Sequence, residues 1–160
     1  MAELKDSGAR REFETGAVRD IAEGKGRCDL LPLKVVSDLI DDIVLEDIED
    51  YIRSGDTDYL HAAINHFVGG YSNWKNIFTA LLEVSKQYED GARKYNDRNW
   101  EKGIPVHCFI DSGVRHYLKF RRGDTDEPHD RAFVWNMLGA IWTHENKPEL
   151  IDLPFAEDKT

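Results

Sequence analysis

Apolar residues at Leu33, Val36, Leu39, Ile40, Ile43 and Val44 recur at helical spacing behind Pro32, a residue suited to a first helical turn. The pattern predicts a first helix over about 32–53. Ser54-Gly55-Asp56 reads as a stop followed by a new cap, with a second helix over 57–68 before the Gly69-Gly70 break. Ser72 or Asn73 is expected to cap a long third helix over 74–96. The 96–105 stretch, with Gly103, reads as a loop. A fourth helix fits 106–122, closed by Gly123, and a fifth fits 127–145, with Pro128 in its first turn and Pro148 beyond its end. No alternating strand pattern and no internal repeat competes. Residues 1–30 hold no sustained period and are rich in glycine and charge, as an extended, ordered arm would be. The expectation is one all-α domain over 1–160, a helical bundle of about five helices with an extended N-terminal arm.

At 160 residues the chain is long enough to bury its own core. Two cysteines, no cationic and apolar leader and no apolar run of the roughly 20 residues a membrane span needs point to a soluble protein of a reducing cytoplasm. A net charge of -10 argues against a partner such as duplex nucleic acid, which calls for a basic face. The charge is uneven, however. Arg10, Arg11, Arg19, Lys25 and Arg27 make the first thirty residues basic, whereas 38–58 is strongly acidic. That asymmetry suits a small anionic ligand held by the basic segment, with a metal shielding carboxylates elsewhere.

The chemistry concentrates between Tyr88 and Trp142. On the third helix Phe78, Leu82, Ser85 and Glu89 share a face, so Glu89 continues an apolar stripe. On the fourth, His107, Asp111, Arg115, Leu118 and Arg122 share one face, and Phe109, Gly113, His116 and Phe120 the opposite one. On the fifth, His129, Ala132, Phe133, Asn136 and Ala140 form a stripe that mixes polar with small groups. Each has a plainer reading: i,i+4 pairs for Glu89 with Arg93 and for Asp111 with Arg115, a core histidine for His116, and helix-dipole charges for Asp124, Asp126, Glu127 and Asp130. Taken together, Glu89, Asp111, Asp126 and Asp130, with His129 beside them, offer hard oxygen donors suited to Mg²⁺ or Mn²⁺ rather than a closed zinc site. No CxxC, HExxH or P-loop is present. A carboxylate-rich helical site points to metal-assisted attack of water on a phosphate ester or anhydride.

The segments FETGAVRD, GKGRCDLLP, YEDGARKYNDRNWEKGIP, DSGVRHYLKF and DEPHDRAFVWNMLGAIW resemble the phage and bacterial dATP/dGTP diphosphohydrolase family, related to the MazG and MazZ all-α nucleotide pyrophosphohydrolases. The likeness runs from about Gly8 to Asp152. It implies an all-α homo-oligomer that hydrolyses a purine deoxynucleoside triphosphate to the monophosphate and pyrophosphate with Mg²⁺ or Mn²⁺. MazG-like proteins hold metal through an ExxE on one helix and an ExxD on the next. Here the one ExxE is Glu46 to Glu49, in an acidic first helix, and the best ExxD is Glu127 to Asp130. Against shorter relatives, residues 40–80 look like an inserted helical pair, leaving 81–147 as the core helices that carry the site.

On this reading Glu89, Asp111 and Asp130 hold the ion, with Asp126 near them, and a carboxylate or His116 positions the attacking water. Lys94, Arg98, Arg115, Lys25 and Arg27 neutralise phosphates. Trp100 or Tyr95 stacks on the base, Asn99 reads its edge, and His129 and Asn136 complete the substrate surface. A second class of function fits the same features: a non-catalytic nucleotide-binding protein that sequesters or senses its ligand. A purely structural scaffold leaves the inward polar residues without a purpose.

Overall fold

The structure, a computed structural model, describes residues 9–157. The first eight residues of the expected arm lie outside that range. Strands β1 (Arg10–Glu12) and β2 (Val18–Asp20) pair antiparallel with Arg10 opposite Asp20 and Glu12 opposite Val18. Six helices follow: α1 (Leu33–Ile40), α2 (Ile43–Ser54), α3 (Asp58–Gly70), α4 (Ile77–Tyr95), α5 (Val106–Arg122) and α6 (His129–Asn146). Single 3-10 turns cover Cys28–Leu30, Asn99–Lys102 and Pro148–Leu150, and a short α7 covers Pro154–Glu157. The fold is all-α apart from the small hairpin. Among the described residues no helix is long and apolar enough to cross a membrane.

Helices α5 and α6 form the centre, and glycine sets how closely they approach. A Cβ at Gly139 would stand 2.3 Å from the Phe109 ring, and one at Gly113 would stand 2.5 Å from Met137 Cε. Any larger residue there forces the pair apart, at a typical overpacking cost of about 1–3 kcal/mol. Helix α3 is tied on by Phe67, fully buried, whose ring meets those of Tyr117, Phe120 and Phe133 at 5.9, 5.2 and 4.9 Å. Helix α4 joins α6 through Tyr88 against Trp135 and through an ion pair of Asp90 with Arg131 at 2.8 Å. That contact places the α4 face carrying Gln87, Gly91 and Lys94 over the site described below.

The expected first helix is two. Asp41 turns left-handed at φ 53°, and the Asp42 side chain caps the new helix by accepting from Leu45 N–H at 3.0 Å. The same Asp42 carboxylate is buried and accepts from Tyr117 Oη and from the Arg121 guanidinium of α5. Periodicity runs straight through this break because both helices turn apolar faces to the same core. A distant ion pair decides the bend. Helix α3 continues through Gly69-Gly70. Helix α4 starts at Ile77 behind the Asn76 cap, because Ser72 is occupied in a turn, donating to Val68 C=O and accepting from Trp74 N–H. The hairpin escaped the pattern because three-residue strands are too short to alternate.

Candidate active site

A cavity of about 450 Å³ lies where the hairpin meets α4, α5 and α6. Helix α4 lines it with Gln87, Gly91, Lys94 and Tyr95, spaced i, i+4, i+7 and i+8. Helix α5 supplies Ser112, Arg115, His116 and Lys119 on one face, and α6 supplies Trp135 and Asn136. Six lining side chains are cationic, Arg11, Arg19, Lys25, Lys94, Arg115 and Lys119, against three carboxylates, Asp20, Asp126 and Glu127.

Arg19 is the centre of that charge. Its guanidinium lies 5.5 Å from the centroids of both the Phe109 and Trp135 rings, and Nη2 donates to Asn136 Oδ1 at 3.2 Å. Nη1 is buried with no hydrogen-bond partner, and no carboxylate among the described residues forms an ion pair with this arginine. Burial pulls its pKa down to about 10, so it remains a cation at neutral pH. The nearest acid in sequence, Asp20, is already engaged by Lys94 at 3.1 Å, Arg10 at 3.1 Å and the Tyr95 hydroxyl at 2.6 Å. A buried cation without a counter-ion is costly, and an anion entering the cavity relieves it. Arg11 Nε and Gln87 Oε1 are likewise buried without partners.

A hydrogen-bonded chain forms the opposite wall. Asp126 Oδ1 pairs with His129 Nε2 at 2.8 Å, and His129 Nδ1 pairs with His116 Nδ1 at 2.9 Å. A carboxylate acceptor makes His129 Nε2 the donor, so in neutral imidazoles His129 Nδ1 accepts from His116 Nδ1–H and His116 Nε2 keeps its lone pair. Burial, then the neighbouring His129 and the cations around it, push the His116 pKa down to about 3. Ligand atoms of His116, Glu127 and His129 lie within 4.8 Å of one another, as do those of Asp124, Asp126 and His129. Of these acids, Asp124 is bound by Arg122, while Glu127 has no ion-pair partner among the described residues. The unprotonated Nε2 of His116 and the Glu127 carboxylate are donors that fit a divalent cation, while both His129 nitrogens are taken up by Asp126 and His116.

Of the residues expected from sequence, Lys25, Lys94, Tyr95, Asn99, Arg115, His116, Asp126 and Asn136 line this cavity, and His129 stands directly behind His116. The expected convergence of Glu89, Asp111, Asp126 and Asp130 does not occur. Glu89 is 65 % exposed, 3.5 Å from Arg93, on the edge of a different cavity. Asp111 is buried but spent on structure, holding both oxygens 2.7 Å from Arg115 and accepting Cys28 N–H at 2.7 Å. Asp130 accepts the backbone N–H of Arg131. Arg27 and Arg98 are exposed and paired with Asp29 and Glu101. Asn99 does not present its amide to a ligand, because both ends of it bind Val18. Trp100 faces the second cavity, packed on Tyr88 and Trp142.

The expected opposition of Arg115 and His116 on α5 does not hold: both border the cavity, and Ser112 and Lys119 fall on the same arc of the helix, which that division into two faces passed over. Glu127 was visible as a helix-dipole charge and as the first acid of the best ExxD match. Arg11 and Arg19 were marked only collectively, as members of the basic first thirty residues; which of those cations enter the site was not legible, because the docking of the hairpin is a long-range event.

Residues 73–153 match the family model described as dATP/dGTP diphosphohydrolase, N-terminal. No curated protein and no solved structure matches. The matched span takes in α4, α5 and α6 and is just over half of the chain, which belongs to the dATP/dGTP diphosphohydrolase family.

Proposed function

We propose that this family member hydrolyses a purine deoxynucleoside triphosphate, dGTP or dATP, to the monophosphate and pyrophosphate, with the triphosphate held in the cation-lined cavity. The observation that carries the reading is Arg19: a buried guanidinium with an unmet N–H, flanked by further cations, matches the forked recognition of a phosphate oxygen. The sandwich of Phe109 and Trp135 and the bond to Asn136 fix its direction before the ligand arrives. Lys25 and Lys119 add charge without pairing to a carboxylate among the described residues, and Arg115, anchored by Asp111, holds the backbone carbonyl of Gly26 at 2.7 Å and so keeps the Lys25 loop in place.

His116 and Glu127 would hold Mn²⁺ or Mg²⁺, with Asp126 and His129 fixing the His116 tautomer through their hydrogen-bonded chain. When bound, such an ion lowers the pKa of a coordinated water and neutralises developing phosphate charge. The chain's own part is to bind the phosphates, keep His116 unprotonated and shield the reacting region behind Trp135. The enzyme thus belongs in nucleotide metabolism, and its substrate is a small molecule rather than a nucleic acid.

The test is incubation of the protein with each common deoxynucleoside triphosphate and Mn²⁺, reading pyrophosphate release. Release from a purine substrate, slowed roughly a hundredfold by Arg19→Met, is expected. Tight nucleotide binding without pyrophosphate from any of them would replace hydrolysis with sequestration.

A further inference from the structure

A second cavity, of about 380 Å³, adjoins the first. Gly91, Tyr95, Asn99 and Trp135 line both, so only one layer of residues divides them. Their chemistry is opposite. The first is crowded with cations; the second is walled by the rings of Tyr88, Tyr95, Trp100 and Trp135 and carries Glu89 and Asp97 as its acids. Its single cation, Arg98, is already bound to Glu101 at 2.6 Å. Phosphates would be repelled there, whereas a flat, neutral ring would stack. Trp100 is held edge-on by Tyr88 at 5.9 Å and Trp142 at 5.0 Å, which fixes its plane in advance.

Gly91 sits at the divide. A glycine inside a helix costs about 1 kcal/mol relative to alanine, a cost that a left-handed turn or a close neighbour commonly explains. Neither usual reason applies. Gly91 is absent from the positive-φ glycines, and a Cβ built on it would meet nothing within 4 Å. It packs against no neighbour, and the space above it is open.

We infer that the nucleotide lies across Gly91, its phosphates in the cationic cavity and its base in the aromatic cavity beside Trp100 and Tyr88. The inference rests on the phosphate reading of the first cavity. The sugar crosses the helix where no side chain obstructs it, and Glu89, at the mouth of the second cavity, faces the edge of a base rather than a metal ion.

Calorimetric titration of the wild type, Trp100→Leu and Gly91→Leu separates the two halves, using inorganic tripolyphosphate as one ligand and a nonhydrolysable purine deoxynucleoside triphosphate as the other, with the thermal midpoint as control on folding. Because stacking of a base on an aromatic ring is worth about 1–3 kcal/mol, Trp100→Leu, at a residue that lines the second cavity and not the first, is expected to weaken the nucleotide by about fivefold to a hundredfold while tripolyphosphate affinity stays within about threefold. Gly91→Leu, at the divide, is expected to weaken the nucleotide at least as much. Unchanged nucleotide affinity in either variant, or equal loss of both ligands in Trp100→Leu, overturns the inference alone. Failure of the wild type to bind tripolyphosphate overturns the phosphate reading and this inference with it.

Discussion

Asn99 holds Val18 by both ends of its amide: Val18 N–H donates to Oδ1 at 2.8 Å, and Nδ2 donates to the Val18 carbonyl at 2.8 Å. The side chain thereby acts as one residue of an extra strand, joining the loop after α4 to β2 and so seating Arg19 in the cavity. Asn99 is 6 % exposed, and its removal leaves both Val18 groups without those partners. Asn99→Ala should therefore cost about 1–3 kcal/mol in urea unfolding and reduce phosphate affinity together with it. Full stability with full affinity would show that the hairpin docks without this clamp.

Arg19→Met removes a buried charge that has no counter-ion, so the thermal midpoint should stay level or rise. Activity should move the other way. Loss of a charge-assisted contact of about 3 kcal/mol corresponds to roughly a hundredfold in kcat/KM, whereas Arg19→Lys, which keeps the charge but not the fork, should lose less. Steady-state kinetics of the two variants beside their melting curves checks the split.

Asp111 and Glu89 should separate cleanly. Asp111→Ala strands Arg115 in a nearly buried site and frees Cys28 N–H, at a cost of about 3–5 kcal/mol. Glu89→Ala removes one exposed partner of Arg93 and should stay within about 0.5 kcal/mol. Denaturant midpoints measured side by side decide it, and equal stability of the two would refute a structural role for Asp111.

Stripping divalent ions with a chelator should abolish turnover and leave the helical circular dichroism intact, with Mn²⁺ or Mg²⁺ restoring activity. Asp126→Asn, which disturbs the chain that orients His129 and His116, should weaken Mn²⁺ binding by about tenfold to a hundredfold, and Glu127→Gln by at least as much. Calorimetric Mn²⁺ titration reads this directly; unaltered affinity in both variants would move the ion elsewhere.

His107 and Asp152 tie the start of α5 to the chain after α6. Asp152 holds the imidazole protonated and raises its pKa to about 10, while His107 keeps the Asp152 carboxyl below its usual value despite burial. With the His107 pKa raised on folding, its contribution is complete below the unfolded value of about 6.5 and is lost as pH climbs through about 10. The Asp152 contribution holds above the unfolded carboxylate pKa of about 3.9 and is lost on acidification. The stability advantage of wild type over His107→Gln should thus be greatest between about pH 4 and 6.5 and shrink toward pH 10. Urea midpoints across that range test it, and a difference independent of pH would deny the pair a charged state.

Much of the helical frame was legible locally. Gly55 and Gly123 stop α2 and α5 in left-handed turns, Pro128 precedes α6, and α5 spans the expected 106–122. The faces of α5 and α6 were legible only in part: His116, Arg115 and Asn136 were singled out and line the cavity, but Arg115 and His116 border it together instead of standing on opposite faces. The direction of the Asp42 bend was not, because Tyr117 and Arg121 lie 75 and 79 residues away.

What the sequence by itself determined is the helical class and most of the helix ends, the surplus of charge on the first thirty residues and the likeness to a nucleotide-hydrolysing family. All three depend on neighbours within a turn or two, or on residue type alone. Only the tertiary structure decided which charges remain unspent. Asp111 and Arg115 cancel each other, Asp20 is saturated by Lys94, Arg10 and Tyr95, and Arg19 is left over. Pairing is a matter of a few ångströms between distant segments, and the Coulomb and desolvation energies that govern it change over that same range.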